Sequence, residues 1–223
     1  MRGKRERLLR EMYAVMHARL GPSGWWPGET PLEVCVGAVL TQNTAWTNVT
    51  KAIQRLRDAG VLASGQALLS LPEAELAELI RPAGFFRLKA VRLRNLLRFL
   101  DDACGFDFGV LAGQELDDLR PRLLKVSGIG PETADSVLLY AVGLPTFVVD
   151  AYTRRILHRH AMVPDDIPYH ELRDVFMDVL EPDVPLYNEF HALLVRVAAQ
   201  WCRARAPRCA DCPLCTFLDG GVA

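Results

Sequence analysis

The sequence predicts an all-α protein of roughly ten helices, and three observations carry that prediction. Apolar residues recur at helical intervals, as in Leu93, Leu96, Leu97 and Leu100, in Ala134, Val137, Leu138 and Ala141, and in Leu193, Leu194, Val197 and Ala198. Helix breakers fall at regular spacing: Gly21-Pro22, Pro27-Gly28, Gly60, Pro72, Pro82-Ala83-Gly84, Gly143 to Pro145, Pro164, and Pro182 to Pro185. No run alternates apolar and polar residues cleanly over the length of a strand. At 223 residues, half of them apolar, the chain can bury one large core or two small ones.

Taken in order, the elements begin with an Arg-rich N-terminal segment that lacks the apolar core of a signal peptide. Val34 to Leu40 follows, readable as a buried helix or a strand, and far too short to span a bilayer. A cytoplasmic protein without a membrane partner is therefore expected. From Arg81 to Leu100 lie six basic residues (Arg81, Arg87, Lys89, Arg92, Arg94 and Arg98) and no acidic one. Further basic runs are Arg154, Arg155 and Arg159, and Arg196, Arg203, Arg205 and Arg208. Acids collect elsewhere, at Glu73 to Glu78, Asp101 to Asp118 and Asp165 to Asp183. The formal net charge is −1, so no global field attracts nucleic acid. The segregation suits one polyanion-facing surface, and it equally suits solvated helix faces.

Next comes Lys125-Val126, closing a helix, and Gly128-Ile129-Gly130, a tight turn of glycines that accept positive φ and leave backbone N–H groups uncovered. Pro131 fits the first position of the following helix. This is how a simple αα-turn ends. It is also a phosphate clamp, with a helix start and Lys125 beside it. Thr146 to Val149 is a second helix-or-strand ambiguity. Asp150, twenty residues beyond Gly130, stands before another helical run. It reads as an N-cap, or as a carboxylate held where bound DNA would pass.

Trp25-Trp26-Pro27 and Trp46 offer electron-rich faces that could stack a base, or pack a junction. Cys202, Cys209, Cys212 and Cys215 fall within fourteen residues. Four thiolates so close repel one another unless a metal neutralises them. In a reducing cytoplasm they read as metal ligands rather than disulfides, whereas Cys35 and Cys104 read as small buried residues.

Helix, hairpin, helix, a Gly/Pro-rich loop and then an Asp resemble the helix-hairpin-helix DNA glycosylase superfamily, whose branches include endonuclease III and the adenine glycosylases. The resemblance covers nearly the whole chain. Leu40-Thr41-Gln42-Asn43-Thr44 resembles the family's Gln-bearing loop, and Ala83-Gly84-Phe85-Phe86-Arg87-Leu88-Lys89-Ala90 its wedge loop. Phe190-His191-Ala192-Leu193-Leu194 resembles the helix that precedes the family's cysteines. The resemblance implies a six-helix barrel over 25–143 that includes the hairpin. A second helical subdomain, 1–24 plus 144–223, would carry the cysteines, and DNA would cross between the two. It implies double-stranded DNA holding a damaged base as partner, a monomer, and base flipping into a pocket.

The resemblance further assigns Asp150 to stabilising the developing sugar cation and orienting or deprotonating water. Gln42 would fill the gap left by the flipped base and Phe85 would insert into the opposite strand. Lys125, Gly128, Gly130 and Thr133 would meet DNA from the hairpin, and Trp25, Trp26 and Trp46 would form the base pocket. The bifunctional branch carries a nucleophilic lysine one place after the position of Pro131. This chain has Glu132 there, which forms no imine. With Trp-Trp-Pro and an aromatic after Thr-Gln-Asn-Thr, the pattern is closest to the 3-methyladenine glycosylases of endonuclease III type. A [4Fe–4S] cluster is implied at the four cysteines, with zinc the lesser expectation. Their intervals of six, two and two intervening residues depart from the family's six, two and five at Cys215. Alternatives are an oxidised-pyrimidine glycosylase with weak lyase activity, or a non-catalytic DNA-binding iron–sulfur protein.

Overall fold

The structure is a computed structural model that describes residues 2–25 and 28–218. Among these residues there is no strand. Two compact units emerge, one of residues 27–144 and the other of residues 1–26 with 145–223.

In the unit of 27–144, the run Val34 to Leu40 proves to be helical. Thr30 starts α2 (Pro31–Leu40): its side chain accepts from the Glu33 N–H at 3.2 Å, and Pro31 takes the first helical position. Every residue from Leu32 to Leu40 is buried, which erases the one-sided apolar pattern that would have marked a surface helix. Against it pack α3 (Trp46–Asp58), α6 (Phe86–Cys104) and α9 (Pro131–Ser136), while α4 (Gly65–Ser70), α5 (Glu73–Leu79) and α7 (Phe108–Ala112) pack on α6, and α8 (Leu116–Leu124) packs on α9. Helix α9 runs on as a wider π-helical turn over Val137–Val142 and stops at Gly143, whose φ of 81° is left-handed. Two buried carboxylates are matched by arginines: Glu33 by Arg57 at 2.9 Å and Asp135 by Arg120 at 2.7 Å.

The other unit holds α1 (Arg2–Leu20), α10 (Ala151–Arg159), α11 (Tyr169–Met177) and α12 (Val184–Gln200). Thr146 to Val149 is neither helix nor strand; it is a buried connector. Phe147 stacks on Phe176 with ring centres 3.9 Å apart and meets Tyr187 and Phe190 edge-on. That aromatic cluster explains the strand-like composition of a segment with no ladder to join. Asp183 caps α12 through the Leu186 N–H, and Arg196 closes the end of α1 by donating to the Leu20 and Gly21 carbonyls. None of the described helices is long and apolar enough to cross a membrane.

Candidate active site and its supports

Asp150 is the N-cap of α10. Its Oδ1 accepts from the Thr153 N–H at 2.7 Å and from the Thr153 hydroxyl at 2.9 Å. Oδ2 lies 3.7 Å from Nε2 of His191 on α12. Burial by itself would raise the carboxyl, but the His191 ring and the two Thr153 donors outweigh it and hold Asp150 below its ordinary value. The side chain retains 14% of its surface. Trp25 meets the His191 ring edge-on, with centroids 6.4 Å apart. Its loop is fixed by Ser23, whose hydroxyl and N–H both donate to Glu189 and whose Oγ accepts from the Trp25 N–H. Trp26 lies outside the described residues. Trp46 opens α3, in the unit of 27–144.

The hairpin between α8 and α9 has the expected chemistry at one glycine and a different one at the other. Gly128 has φ 91°, and a Cβ there would lie 2.3 Å from Cγ of Arg92, so glycine is needed both for conformation and for space. Gly130 is extended, with φ −87°, and a Cβ there would meet nothing. Lys125 and Glu132 are exposed beside the turn. Thr133 is buried, and its hydroxyl accepts from Gln42.

Gln42 is engaged on every side. Its Nε2 donates to the Gly128 carbonyl at 3.1 Å and to Thr133 at 3.0 Å, while its Oε1 accepts from Arg92 at 2.5 Å. The amide thus ties the 41–44 turn to the hairpin. Phe85 stands out at 71% exposure in a left-handed conformation, φ 45°. For a residue with a Cβ that conformation costs about 1–2 kcal/mol, and such strain concentrates where function holds it. Lys89, one turn into α6, is fully buried, and burial, then Arg92, lowers its ammonium to about 8.

The four clustered cysteines line one cavity with Ile156, Val197, Trp201 and Leu214. Burial pushes the Cys212 thiol up to about 11; the Leu214 amide opposes this, and the other three thiols add to it. Arg155 donates to the Cys202 carbonyl, and Arg159 to the Cys202 sulfur at 3.2 Å and to the Arg203 and Ala204 carbonyls. Successive turns place Cys212 N–H on Cys209 O and Cys215 N–H on Cys212 O, so the shortened last interval still delivers Cys215 to the cavity. Among the described residues no three His, Cys, Asp or Glu side chains form a group able to hold a single metal ion.

Sequence reasoning passed over His191, Lys89 and Arg92 as site residues. His191 sits in a segment read as the helix before the cysteines, Lys89 in the wedge-loop segment and in a basic run, and Arg92 in that same run, and none was given a role of its own. A lysine and an arginine three apart, on the face of α6 that also carries Leu93 and Leu96, were the available signal.

Residues 36–182 match the model of the HhH-GPD superfamily base excision DNA repair protein. A provisionally assigned DNA repair glycosylase of Methanocaldococcus jannaschii is 40% identical over 97% of this chain and 98% of its own. The H. pylori 3-methyladenine DNA glycosylase bound to 1,N6-ethenoadenine superposes with a TM-score of 0.74 at 26% identity, covering 88% of this chain and 97% of that one. A non-covalent endonuclease III–DNA complex superposes at 0.78 and 23% identity, covering 96% and 95%.

Proposed function

Because the chain belongs to the HhH-GPD superfamily of base excision DNA repair proteins, and is a DNA glycosylase by that membership, we propose that it is a monofunctional enzyme releasing an alkylated base from duplex DNA. Two separate observations carry this reading: Asp150 is held ionised by Thr153 and His191, and the residue after Pro131 in the sequence is the acidic Glu132. A base inside the stack is beyond reach, so the nucleotide must be extruded. Breaking its glycosidic bond leaves positive charge on the sugar. The Asp150 carboxylate, kept charged by His191 and Thr153, stabilises that charge with its Oδ2 and takes a proton from the attacking water. No amine stands at position 132, so the sugar carbon is not captured as an imine and the product is an abasic site.

The substrate class rests on two supports. Trp25 lies beside His191, and an indole suits a base that N-alkylation has made cationic. The H. pylori enzyme, named for 3-methyladenine, shares the fold over 97% of its length. Gly128, Gly130 and Lys125 would receive a phosphate at the hairpin, with Gln42 and Thr133 bracing the turn. Phe85 would enter the stack of the opposite strand.

Cys202, Cys209, Cys212 and Cys215 fit a [4Fe–4S] cluster as donors. They are soft sulfurs, and they share a largely apolar cavity. Bound there, such a cluster would supply the positive charge that lets the four clustered thiolates coexist, and would fix the loop bearing Arg203, Arg205 and Arg208.

The test is a panel of duplexes, each with one lesion, assayed for free base and separately for borohydride trapping. Release of alkylated bases without trapping is expected. Efficient covalent trapping would mean that another amine attacks the sugar, as in an oxidised-pyrimidine glycosylase. No base release from any duplex would leave a non-catalytic DNA-binding protein.

A further inference from the structure

We infer that Lys89 is a positioning residue: it locks the turn carrying Gln42 to the tip carrying Phe85, so that both meet duplex DNA in one fixed register. The inference rests on the reading of those two loops as DNA-contacting. Lys89 is 1% exposed, and its Nζ donates to three oxygens from two loops: Leu40 O at 2.8 Å, Thr44 Oγ1 at 2.6 Å and Ala83 O at 2.8 Å. The Thr44 hydroxyl itself donates to Ala83 O at 2.6 Å. Lys89, Thr44 and Ala83 therefore form a closed ring across the base of the two loops.

All three acceptors are neutral, so the ammonium is buried without a carboxylate partner in that ring. A charge so placed is costly to bury. What it provides is geometry. An ammonium directs three donors at once, where a neutral amine has two hydrogens and an alkyl chain none.

The tips held by this ring are the two places nearby where a side chain is kept left-handed: Asn43 at φ 52° and Phe85 at φ 45°. Such conformations persist where surrounding bonds over-determine them. Arg92, three residues along α6, adds the bond to Gln42, and Asn95, three further, donates to the Ser127 carbonyl of the hairpin. One ridge of α6 thus registers the wedge, the Gln42 turn and the hairpin, with Lys89 at the junction.

The experiment uses a duplex with a stable abasic-site analogue opposite 2-aminopurine, whose fluorescence rises when it is unstacked, read at saturating protein. The wild type should raise the signal and F85A should abolish the rise. K89M should also lose most of it, and K89M/F85A should fall no further than F85A. In excision from a duplex that the wild type cleaves, K89M should lose at least about tenfold in kcat/KM, as expected of a displaced positioning group. That loss should not multiply with that of F85A, because the two act through one element. If K89M gives no cooperative melt, T44V, which opens the same ring, is read in its place. A full fluorescence rise in K89M, losses that multiply, or a wild type that never unstacks the probe would overturn the inference. A wild type that unstacks the probe but releases no base refutes the glycosylase reading instead, and leaves this one standing.

Discussion

The two oxygens of the Asp150 carboxylate are used differently. Oδ1 is committed to the helix, taking both Thr153 donors, while Oδ2 faces His191. Replacing Asp150 by Asn preserves a capping oxygen and removes the charge. Single-turnover base release from D150N should fall by about 10²- to 10⁴-fold with DNA binding intact in a gel-shift titration. Replacing it by Ala also removes the cap, and a thermal melt should show about 1 kcal/mol lost. The pH dependence follows from the direction of the shift. The folded carboxyl titrates below its ordinary 3.8, so its contribution to stability is fully present above 3.8 and is lost as pH falls through the folded value. A pH–rate profile should therefore show no acid limb from Asp150 until below 3.8. An acid limb well above that value, unchanged in H191F, would remove His191 from its role in holding the charge.

At the scale of elements, the hairpin separates two meanings of glycine. G128A forces a positive φ on alanine and drives a methyl against Arg92, so it should cost about 1–3 kcal/mol by chemical denaturation. G130A adds a methyl into open space at a φ any residue accepts; it should melt like the wild type and bind DNA more weakly by covering the backbone. The cysteine loop makes the complementary prediction. If the proposed cluster is bound, removing its iron by oxidation and chelation should abolish visible thiolate-to-iron absorption and release hydrogen-exchange protection first at 202–215, where Arg159 is bonded to the Cys202 sulfur. Much of this was legible in the sequence. Helical periodicity exposed the all-α class, and glycine and proline marked the hairpin. The motifs around Asp150 and the cysteines pointed to the superfamily that the relatives share. What escaped were features whose cause lies far along the chain. The buried strand-like segment 146–149 is explained by Phe176 and Phe190, and Gln42 is held by a helix some 50 positions away. Lys89 looked like one more cation in a basic run because its three acceptors lie in two separate loops.

Over the whole molecule, charge poses a problem that the distribution of side chains resolves. A net charge of −1 predicts no general attraction to a polyanion, and an interface that held DNA only by shape would be nearly indifferent to salt. The proposed contacts are instead local: the hairpin with Lys125, and the loop that carries Arg203 and Arg205, all exposed. Arg208 on that loop is also exposed, but it shares its charge with Asp211 at 3.0 Å, so it contributes less than its neighbours. Each phosphate neutralised releases condensed cations, so the logarithm of the binding constant should fall with the logarithm of salt at about 0.9 per contact. A fluorescence-anisotropy titration of an undamaged duplex across salt should therefore give a clearly negative slope despite the acidic balance of the chain. K125A should reduce the magnitude of that slope by about 1, and R203A with R205A by about 2, because those side chains would each neutralise a separate phosphate. R208A should change it less than either. A slope near zero in the wild type, or an equal effect from alanine at an exposed arginine on α1 such as Arg5, would mean that affinity comes from something other than these two basic loops.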